Sequence, residues 1–300
     1  MGNLQFIQEK TKDGLTLPGF HWPTTTKRCC VLMVHGMYSN LFENQFAIAL
    51  ANQLPTLGIG FFYGHNRGYG FINSIPTDRL DKDGSFINQR LGTVYERFED
   101  SLLDLQLWLT TIQNLGYSSI ILCGHSLGCN KILYYLANRP ATMVDGIILA
   151  SAPDMVHLGQ QGANAQVLSE EAQQYVAKGQ GQTILSHLLW EKYPISAQTF
   201  CNLFLPGSTA DNLPIAANPA VFPSLAKIQQ PILAILGALD MVIVRSAAED
   251  LALLKAKSVS CPSFHIAVIP DANHRYGNQE SAFAQTIITW LQQVFSKQIR

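Results

Sequence analysis

Short apolar runs alternate with longer amphipathic segments along most of the chain. Six runs of strand length are almost wholly apolar: residues 29–34, 58–63, 119–123, 144–150, 231–236 and 264–269. Runs that are apolar on both faces are typical of buried strands in a parallel sheet. Apolar residues at helical spacing mark the segments between them: residues 42–54, 94–115, 127–138, 246–257 and 281–295. This alternation predicts a doubly wound α/β sheet with right-handed crossovers.

Two stretches near the N-terminal half depart from the alternation. Residues 4–9 and 15–21 predict a β-hairpin, because Lys-Asp-Gly at 12–14 supplies a turn between them. Residues 71–93 predict a long and mostly polar connection. Neither stretch disturbs the prediction of one α/β sheet.

A third departure is a long insertion before the fifth of the apolar runs. Residues 154–226 predict several short helices, among them 170–178 and 182–190. An insertion of this size beyond a strand end is a natural cap over a site. We therefore predict an α/β core over residues 1–153 and 227–300, with a helical cap insertion over 154–226.

The sequence Gly-His-Ser-Leu-Gly at 124–128 lies between a predicted strand and a predicted helix. This is the setting of a nucleophile elbow, in which a serine on a sharp turn projects above the carboxyl end of the sheet. The glycines on either side let the strand and the helix pack closely. We expect Ser126 to be a nucleophile, and the N–H of Leu127 at the helix N-terminus to stabilise an oxyanion.

A serine hydroxyl needs a general base, and the chain order of such a site is serine, acid, histidine. Four histidines follow the serine: His157, His187, His265 and His274. His274 lies in a polar loop just past the last predicted strand, which lets its ring reach the edge of the sheet. His265 lies inside an apolar run, while His157 and His187 lie in the insertion. The position predicts His274 as the base.

The acid that orients the base must also follow the serine in the chain. Asp240 is the first candidate, because it follows the apolar run 231–236 and its strand is next to the histidine loop. Asp154, at the end of the preceding run, is the second candidate. Asp271 is the third, since it is only three residues before His274 and that spacing is cramped.

A second oxyanion donor is expected from the loop after the run 29–34. This loop begins His-Gly-Met at 35–37, and the glycine permits a turn that aims an N–H inward. Met37 is the best candidate for that N–H. The His35 side chain is expected to make a structural hydrogen bond only.

Taken together, these motifs resemble the α/β-hydrolase superfamily over residues 4–298. The matching stretches are His-Gly at 35–36, Asn-Arg-Gly-Tyr-Gly at 66–70, the elbow at 124–128, Gly-Ala-Leu-Asp at 237–240 and Asn-His at 273–274. The resemblance implies a mostly parallel eight-stranded sheet with helices on both faces, a cap after the sixth strand, and a triad of Ser126, Asp240 and His274. One position departs from the family's Asp-x-Arg-Gly-x-Gly pattern, because His65 replaces the leading aspartate.

The stretch Asn-Lys-Ile-Leu-Tyr-Tyr at 130–135 resembles a branch that includes fungal siderophore-ester hydrolases. We carry no substrate over from that branch.

Composition narrows the classes of partner. Lys and Arg number 20 against 21 Asp and Glu, a formal net charge of −1, so no nucleic-acid partner is expected.

Six cysteines without a C-x-x-C pair are too few for a disulfide scaffold or a zinc ribbon, and we expect neither a metal nor an organic cofactor. The first residues lack the layout of a signal peptide, and the apolar runs are too short to span a bilayer. We therefore expect a cytoplasmic protein without stable membrane insertion.

These features predict a serine hydrolase that cleaves a carboxylic ester through an acyl-enzyme. The same residues could serve a thioesterase, an amidase or an acyltransferase, and a non-catalytic ligand-binding protein is the alternative from another class. The substrate is expected to be a small-molecule ester or acyl compound. The cap has few charged residues and no arginine, so it is expected to roof an apolar pocket that favours neutral esters with short to medium acyl chains.

Overall fold

The computed structural model describes residues 4–139 and 143–296. Ten strands are present in these residues: β1 (Gln5–Lys10), β2 (Thr16–Trp22), β3 (Cys29–Val34), β4 (Ile59–Gly64), β5 (Asn73–Leu80), β6 (Phe86–Leu91), β7 (Ser119–His125), β8 (Val144–Ala150), β9 (Ile232–Gly237) and β10 (Phe264–Ile269). All but β5 and β6 have bounds close to predicted strands. The predicted hairpin is confirmed, with β1 antiparallel to β2.

Eight helices occur in the same described residues: α1 (Gln45–Gln53), α2 (Ser101–Asn114), α3 (Leu127–Asn138), α4 (Met155–Gly159), α5 (Ala165–Ala177), α6 (Ala197–Phe204), α7 (Ala247–Lys257) and α8 (Glu280–Val294). Ser246 caps the N-terminus of α7, since its side chain accepts a hydrogen bond from the N–H of Glu249. The predicted helix 94–115 is shorter than expected, because residues before α2 form turns and a short 3-10 segment.

Eight of the strands form one sheet in the order β1-β2-β4-β3-β7-β8-β9-β10. β2 pairs antiparallel with β1 and β4, and the other neighbours are parallel. The chain runs outward from β3 to β4 on one side and continues from β7 on the other. The loops that follow β3 and β7 therefore diverge, and such a reversal opens a crevice at the carboxyl ends of the strands.

Helices cover both faces of this sheet. α1 and α8 bury side chains such as Phe46 and Ile287 against one face. α2, α3 and α7 bury side chains such as Trp108, Ile132 and Leu251 against the other. The sheet is buried on both sides, which explains why its strands are apolar without alternation. The predicted α/β-hydrolase architecture is confirmed.

The structure adds two strands that were not predicted and corrects one predicted helix. Residues 71–93, predicted as a long and mostly polar connection, contain β5 and β6, which pair as an antiparallel ribbon outside the main sheet. Most side chains of this ribbon are exposed, so its sequence lacks the apolar alternation that marks a strand. Residues 182–190 are not a helix: Ile184 and Leu189 form isolated bridges with Ser196 and Tyr193.

Arg67, in the family-like stretch 66–70, joins three parts of the core. Its guanidinium is only 2% exposed and lies 2.9 Å from carboxylate oxygens of Asp104 on α2 and of Asp13 in the first hairpin. His65, which replaces the family's aspartate, accepts a hydrogen bond from the N–H of Leu41 at 3.1 Å, as the neutral form requires. Burial lowers the pKa of His65 to about 4, so this position holds a neutral group.

The segment 154–226, between β8 and β9, contains α4, α5 and α6. It is tied to the core by several hydrogen bonds. Tyr38 Oη donates to the carbonyl of Pro194 at 2.9 Å, and Thr199 Oγ1 donates to that of Val94 at 2.9 Å.

None of the helices in the described residues is both long and apolar enough to cross a membrane. The first three residues, part of the stretch used for the signal-peptide prediction, lie outside the described residues.

Candidate active site

Ser126 lies on a sharp turn between β7 and α3. Its backbone angles are φ 55° and ψ −130°, a conformation that non-glycine residues rarely adopt. The turn is fixed on both sides, since the Ser126 N–H donates to Ala150 O at 2.9 Å and its carbonyl accepts from Cys129 N–H at 2.8 Å. The strained turn places the side chain above the end of the sheet, where a nucleophile is accessible.

Two glycines allow the backbone to approach this serine. A Cβ at Gly36 would lie 2.7 Å from Ser126 Cβ, so the loop after β3 passes the serine only because residue 36 has no side chain. A Cβ at Gly128 would collide with the carbonyl oxygen of Val34. These contacts bring the first turn of α3 and the end of β3 together.

His274 and Asp240 form a hydrogen-bonded pair. His274 Nδ1 is 2.8 Å from Asp240 Oδ1, and the Asp240 side chain is fully buried. The same carboxylate oxygen accepts from the N–H of Val242 at 3.1 Å. Burial raises the pKa of Asp240, but the hydrogen bond and charge of His274 lower it, and the net pKa is below its ordinary value. The carboxylate is therefore ionised at neutral pH and can hold Nδ1–H of His274.

His274 and Ser126 both line one cavity above the carboxyl ends of the strands. Within the described residues no hydrogen bond joins the two side chains, and such bonds are often loose before substrate binds. Since Nδ1 of His274 is held by Asp240, Nε2 is the nitrogen that remains to accept a proton.

His125 contacts the loop of the base and was not identified from the sequence. Its Nε2–H donates to the main-chain carbonyl of His274 at 2.8 Å. Burial, and then the nearby His274, lowers the pKa of His125 to about 3, so the ring is neutral. No sequence signal marked this residue, because its partner is a carbonyl in a distant loop.

Two main-chain N–H groups follow the neighbouring strands β3 and β7 in the chain, those of Met37 and Leu127. Neither the Met37 N–H nor the Leu127 N–H donates to another protein group among residues 4–139 and 143–296. The next N–H, that of Tyr38, is taken by Thr93 Oγ1 at 2.7 Å. β3 and β7 are neighbours in the sheet, so the two free donors come from adjacent strand ends.

The His35 side chain has the structural role expected of it. Its Nδ1–H donates to Gly36 O at 2.9 Å, and its Nε2 accepts from the N–H of Asn66 at 2.9 Å. Burial lowers the pKa of His35 well below its ordinary value, which keeps the ring neutral. The ring thereby ties the loop after β3 to the loop after β4.

The other candidate acids lie elsewhere. Asp154 caps α4: its Oδ1 accepts from the N–H of His157 at 2.9 Å, and its Oδ2 accepts from the N–H of Ala216 at 2.8 Å. Asp271 is exposed and makes no hydrogen bond to His274 in the described part of the chain. The geometry therefore brings Asp240, and neither alternative, to the base.

The cavity has a volume of about 480 Å³ and is lined by both the core and the segment 154–226. Met155, Leu158, Trp190 and Tyr193 contribute from that segment. Tyr193 stacks on Tyr38 with ring centroids 4.4 Å apart, next to the free N–H of Met37.

Within the described ranges, no three His, Cys, Asp or Glu side chains are grouped as a metal site requires.

A mostly parallel sheet with a strained serine after β7, an aspartate after β9 and a histidine after β10 defines the α/β-hydrolase fold. Residues 94–296 match the family described as "Protein of unknown function (DUF1749)", and the chain belongs to this family. No curated protein matches the chain.

Solved structures share the fold at low sequence identity. The chain is similar to the Pyrococcus furiosus esterase Pf2001, with 15% identity, a TM-score of 0.62, and coverage of 97% of this chain and 90% of that one. It is similar to Est1E from Butyrivibrio proteoclasticus, solved with ferulic acid bound, with 14% identity, a TM-score of 0.63 and coverage of 97% and 99%. It is also similar to the Paleococcus ferrophilus monoacylglycerol lipase, with 18% identity, a TM-score of 0.61 and coverage of 92% and 98%.

Proposed function

We propose that this protein is a serine hydrolase that cleaves a carboxylic ester through an acyl-enzyme intermediate. The observation that carries the proposal is the 2.8 Å hydrogen bond between His274 and Asp240 beside the cavity that Ser126 also lines. A base held by a buried carboxylate next to a serine on a strained turn is the arrangement that activates a hydroxyl.

The reaction proceeds in two halves. His274 Nε2 takes the Ser126 proton as Oγ attacks the ester carbonyl, and then gives that proton to the departing alcohol. Water, deprotonated by the same nitrogen, attacks the acyl-enzyme, and the acid is released as Ser126 regains its proton. Asp240 holds Nδ1–H and stabilises the imidazolium that forms in each half. No metal or organic cofactor takes part in these steps.

The negative charge that develops on the carbonyl oxygen of the ester is stabilised by the N–H groups of Met37 and Leu127. Both are free of other protein partners in the described residues, and Leu127 begins α3, so the helix dipole adds to its effect. Donors fixed before the reaction stabilise the oxyanion without reorganising.

An ester is the preferred substrate class, because the neighbours of this fold include an esterase and a monoacylglycerol lipase. A thioester, an amide or an acyl acceptor other than water would use the same side chains. The resemblance of residues 130–135 to siderophore-ester hydrolases stays a prediction, and no substrate follows from it.

The segment 154–226 acts in this proposal as the cap, with residues 1–153 and 227–300 as the core. Its side chains Met155, Leu158 and Trp190 give the cavity an apolar wall. We place the enzyme in the cytoplasm, where thiols stay reduced, because all six cysteines are free.

The proposal is tested by comparing purified wild type with Ser126→Ala on matched esters, thioesters and amides. We expect p-nitrophenyl butyrate and hexanoate to be hydrolysed with higher kcat/KM than the acetate, since each buried methylene contributes up to about 0.8 kcal/mol. A carboxylate on the acyl side, as in a succinate half-ester, is expected to lower kcat/KM. Equal rates for wild type and Ser126→Ala on every substrate would contradict the proposal.

A further inference from the structure

The cavity above Ser126 differs between its inner end and its mouth. Met155, Leu158 and Val242 line it with exposures of only 1%, 6% and 3%. Leu239 and Met241 line it with exposures of 68% and 60%, and so mark the mouth. The inner end therefore suits an apolar chain, while the other end of a bound molecule stays near solvent.

Two cations line the same cavity, and both are exposed. Arg275 follows His274 directly in the core loop, whereas Lys192 belongs to the turn of the cap that carries Trp190 and Tyr193. They come from different parts of the chain, one from the core and one from the insertion. The lining described for this cavity includes no aspartate or glutamate.

Nearby groups leave both cations available to a ligand. Arg275 pairs with Glu43 at the surface, with 3.7 Å between Nη1 and Oε2, and both side chains are about half exposed. Such an exposed ion pair contributes little free energy, so a bound anion can replace the carboxylate. Lys192 Nζ lies 5.0 Å from the centroid of the Tyr193 ring, a contact that holds the ammonium beside the cavity without neutralising it. The carboxylate of Asp240 is fully buried behind His274 and does not reach the mouth.

We propose that the cavity binds amphiphilic esters with an apolar acyl chain at the inner end and a carboxylate or phosphate on the alcohol portion, held at the mouth by Lys192 and Arg275. Two positive charges at the opening of a low-dielectric cleft attract an anion. A guanidinium can also hold a carboxylate through two parallel hydrogen bonds. The sequence showed no arginine in the cap; here the arginine comes from the core loop instead. That the bound molecule is an ester rests on the proposed function. Recognition of its anionic group by Lys192 and Arg275 can be measured without turnover.

The binding test uses two amides that differ only in charge, 4-(hexanoylamino)benzoate and 4-(hexanoylamino)benzamide. Calorimetry on wild type and on Ser126→Ala at low salt is expected to give about fivefold tighter binding of the anion. The double variant Lys192→Gln/Arg275→Gln should bind the two amides equally, and about 0.5 M salt should reduce the preference in wild type. Lys255→Gln, which removes an exposed lysine of α7 away from the cavity, should keep the preference. An anion preference that survives in the double variant, or is missing in wild type, would overturn the inference.

The turnover test uses the corresponding pair of hexanoyl esters of 4-hydroxybenzoate and 4-hydroxybenzamide. The kcat/KM of the anionic ester divided by that of the neutral ester should fall about fivefold in the double variant, mostly through KM. The two esters differ in chemical reactivity, but that difference is the same for both proteins and cancels when their ratios are compared. Hydrolysis of both esters with an unchanged ratio would leave ester hydrolysis standing and remove the charge recognition. Hydrolysis of neither would count against the proposed function, and the amide binding would still decide the inference.

Discussion

At the residue scale, two adjacent residues of the elbow lie near His274 in different ways. Ser126 shares the cavity with His274, while His125 donates to the His274 carbonyl at 2.8 Å. The pairing of Asp240 with His274 could be predicted from residue type, strand ends and chain order, while the triad with Ser126 stays a prediction. His125 could not, since a hydrogen bond to a main-chain carbonyl leaves no mark on the partner's residue type.

Asp240→Asn is expected to lower kcat by about 10⁴, the size of the effect for the corresponding change in serine proteases. The amide cannot stabilise imidazolium, and it favours the wrong tautomer of His274. Steady-state kinetics on p-nitrophenyl butyrate measures the loss.

Asp154→Asn is the matched control for this prediction. The amide oxygen can still cap α4 at His157, but the amide NH2 cannot accept from the N–H of Ala216, which costs about 1 kcal/mol of stability and leaves the His274 pair intact. If Asp154→Asn lowered kcat more than Asp240→Asn, the assignment of the acid would be wrong.

Buried neutral histidines make stability depend on pH. Burial lowers the pKa of His65 to about 4 and that of His125 to about 3, against about 6.5 in an unfolded chain. Below about pH 6.5 the unfolded chain binds more protons than the native protein. The free energy of unfolding is thus highest above this pH and falls toward pH 4, by up to about 1.4 kcal/mol per pH unit for each histidine.

Urea unfolding at a series of pH values between about 4 and 7 measures this slope. His65→Gln should reduce it, because the amide oxygen can still accept from Leu41 N–H but does not titrate. His187→Gln, at an exposed position of the insertion, should leave it unchanged. A slope of zero in wild type would contradict the role of burial.

At the element scale, α3 is joined to the segment before α2 by a buried ion pair. Lys131 Nζ lies 2.6 Å from Glu96 Oε2, and both side chains are 1% exposed. Lys131 is one turn and a half beyond Ser126, so the pair fixes the helix that begins at the elbow.

Removing one member of this pair should destabilise the protein strongly. Lys131→Met leaves the Glu96 carboxylate buried without its partner, and we expect a loss of about 3–5 kcal/mol in the free energy of unfolding by urea. The double variant Lys131→Met/Glu96→Leu should recover most of that loss, because no charge remains buried. Equal losses in the single and double variants would show that packing, and not charge pairing, dominates here.

The elements that the sequence predicted well are those buried on both faces. β3 and α3 have the predicted bounds, since continuous burial gives a continuous apolar run. The ribbon β5–β6 could not be predicted, because its stability comes from main-chain pairing and its side chains are mostly exposed. Residues 182–190 failed for the opposite reason. Leu185 and Leu189 are buried, but Ile184 and Leu189 pair with Ser196 and Tyr193 after the chain turns back at the left-handed residues Trp190 and Glu191.

At the scale of the whole molecule, the strand order gathers residues that are far apart in the chain. β3 and β7 are neighbours, and the loops after them carry Met37 and Ser126 to one crevice. Chain order was enough to predict this meeting, because connections in such sheets are restricted. The cavity itself was not predictable, since it depends on how Tyr38 stacks on Tyr193 and holds Pro194 across the interface between core and insertion.

The central claim is that Ser126 is a nucleophile activated by His274. A fluorophosphonate probe reacts covalently with an activated serine, and mass spectrometry of the digested protein locates the adduct. We expect the adduct on Ser126 in wild type and none in Ser126→Ala, with the urea unfolding transition of the variant showing that it still folds. Undiminished labelling of folded Ser126→Ala, or an adduct on another residue of the wild type, would contradict the claim.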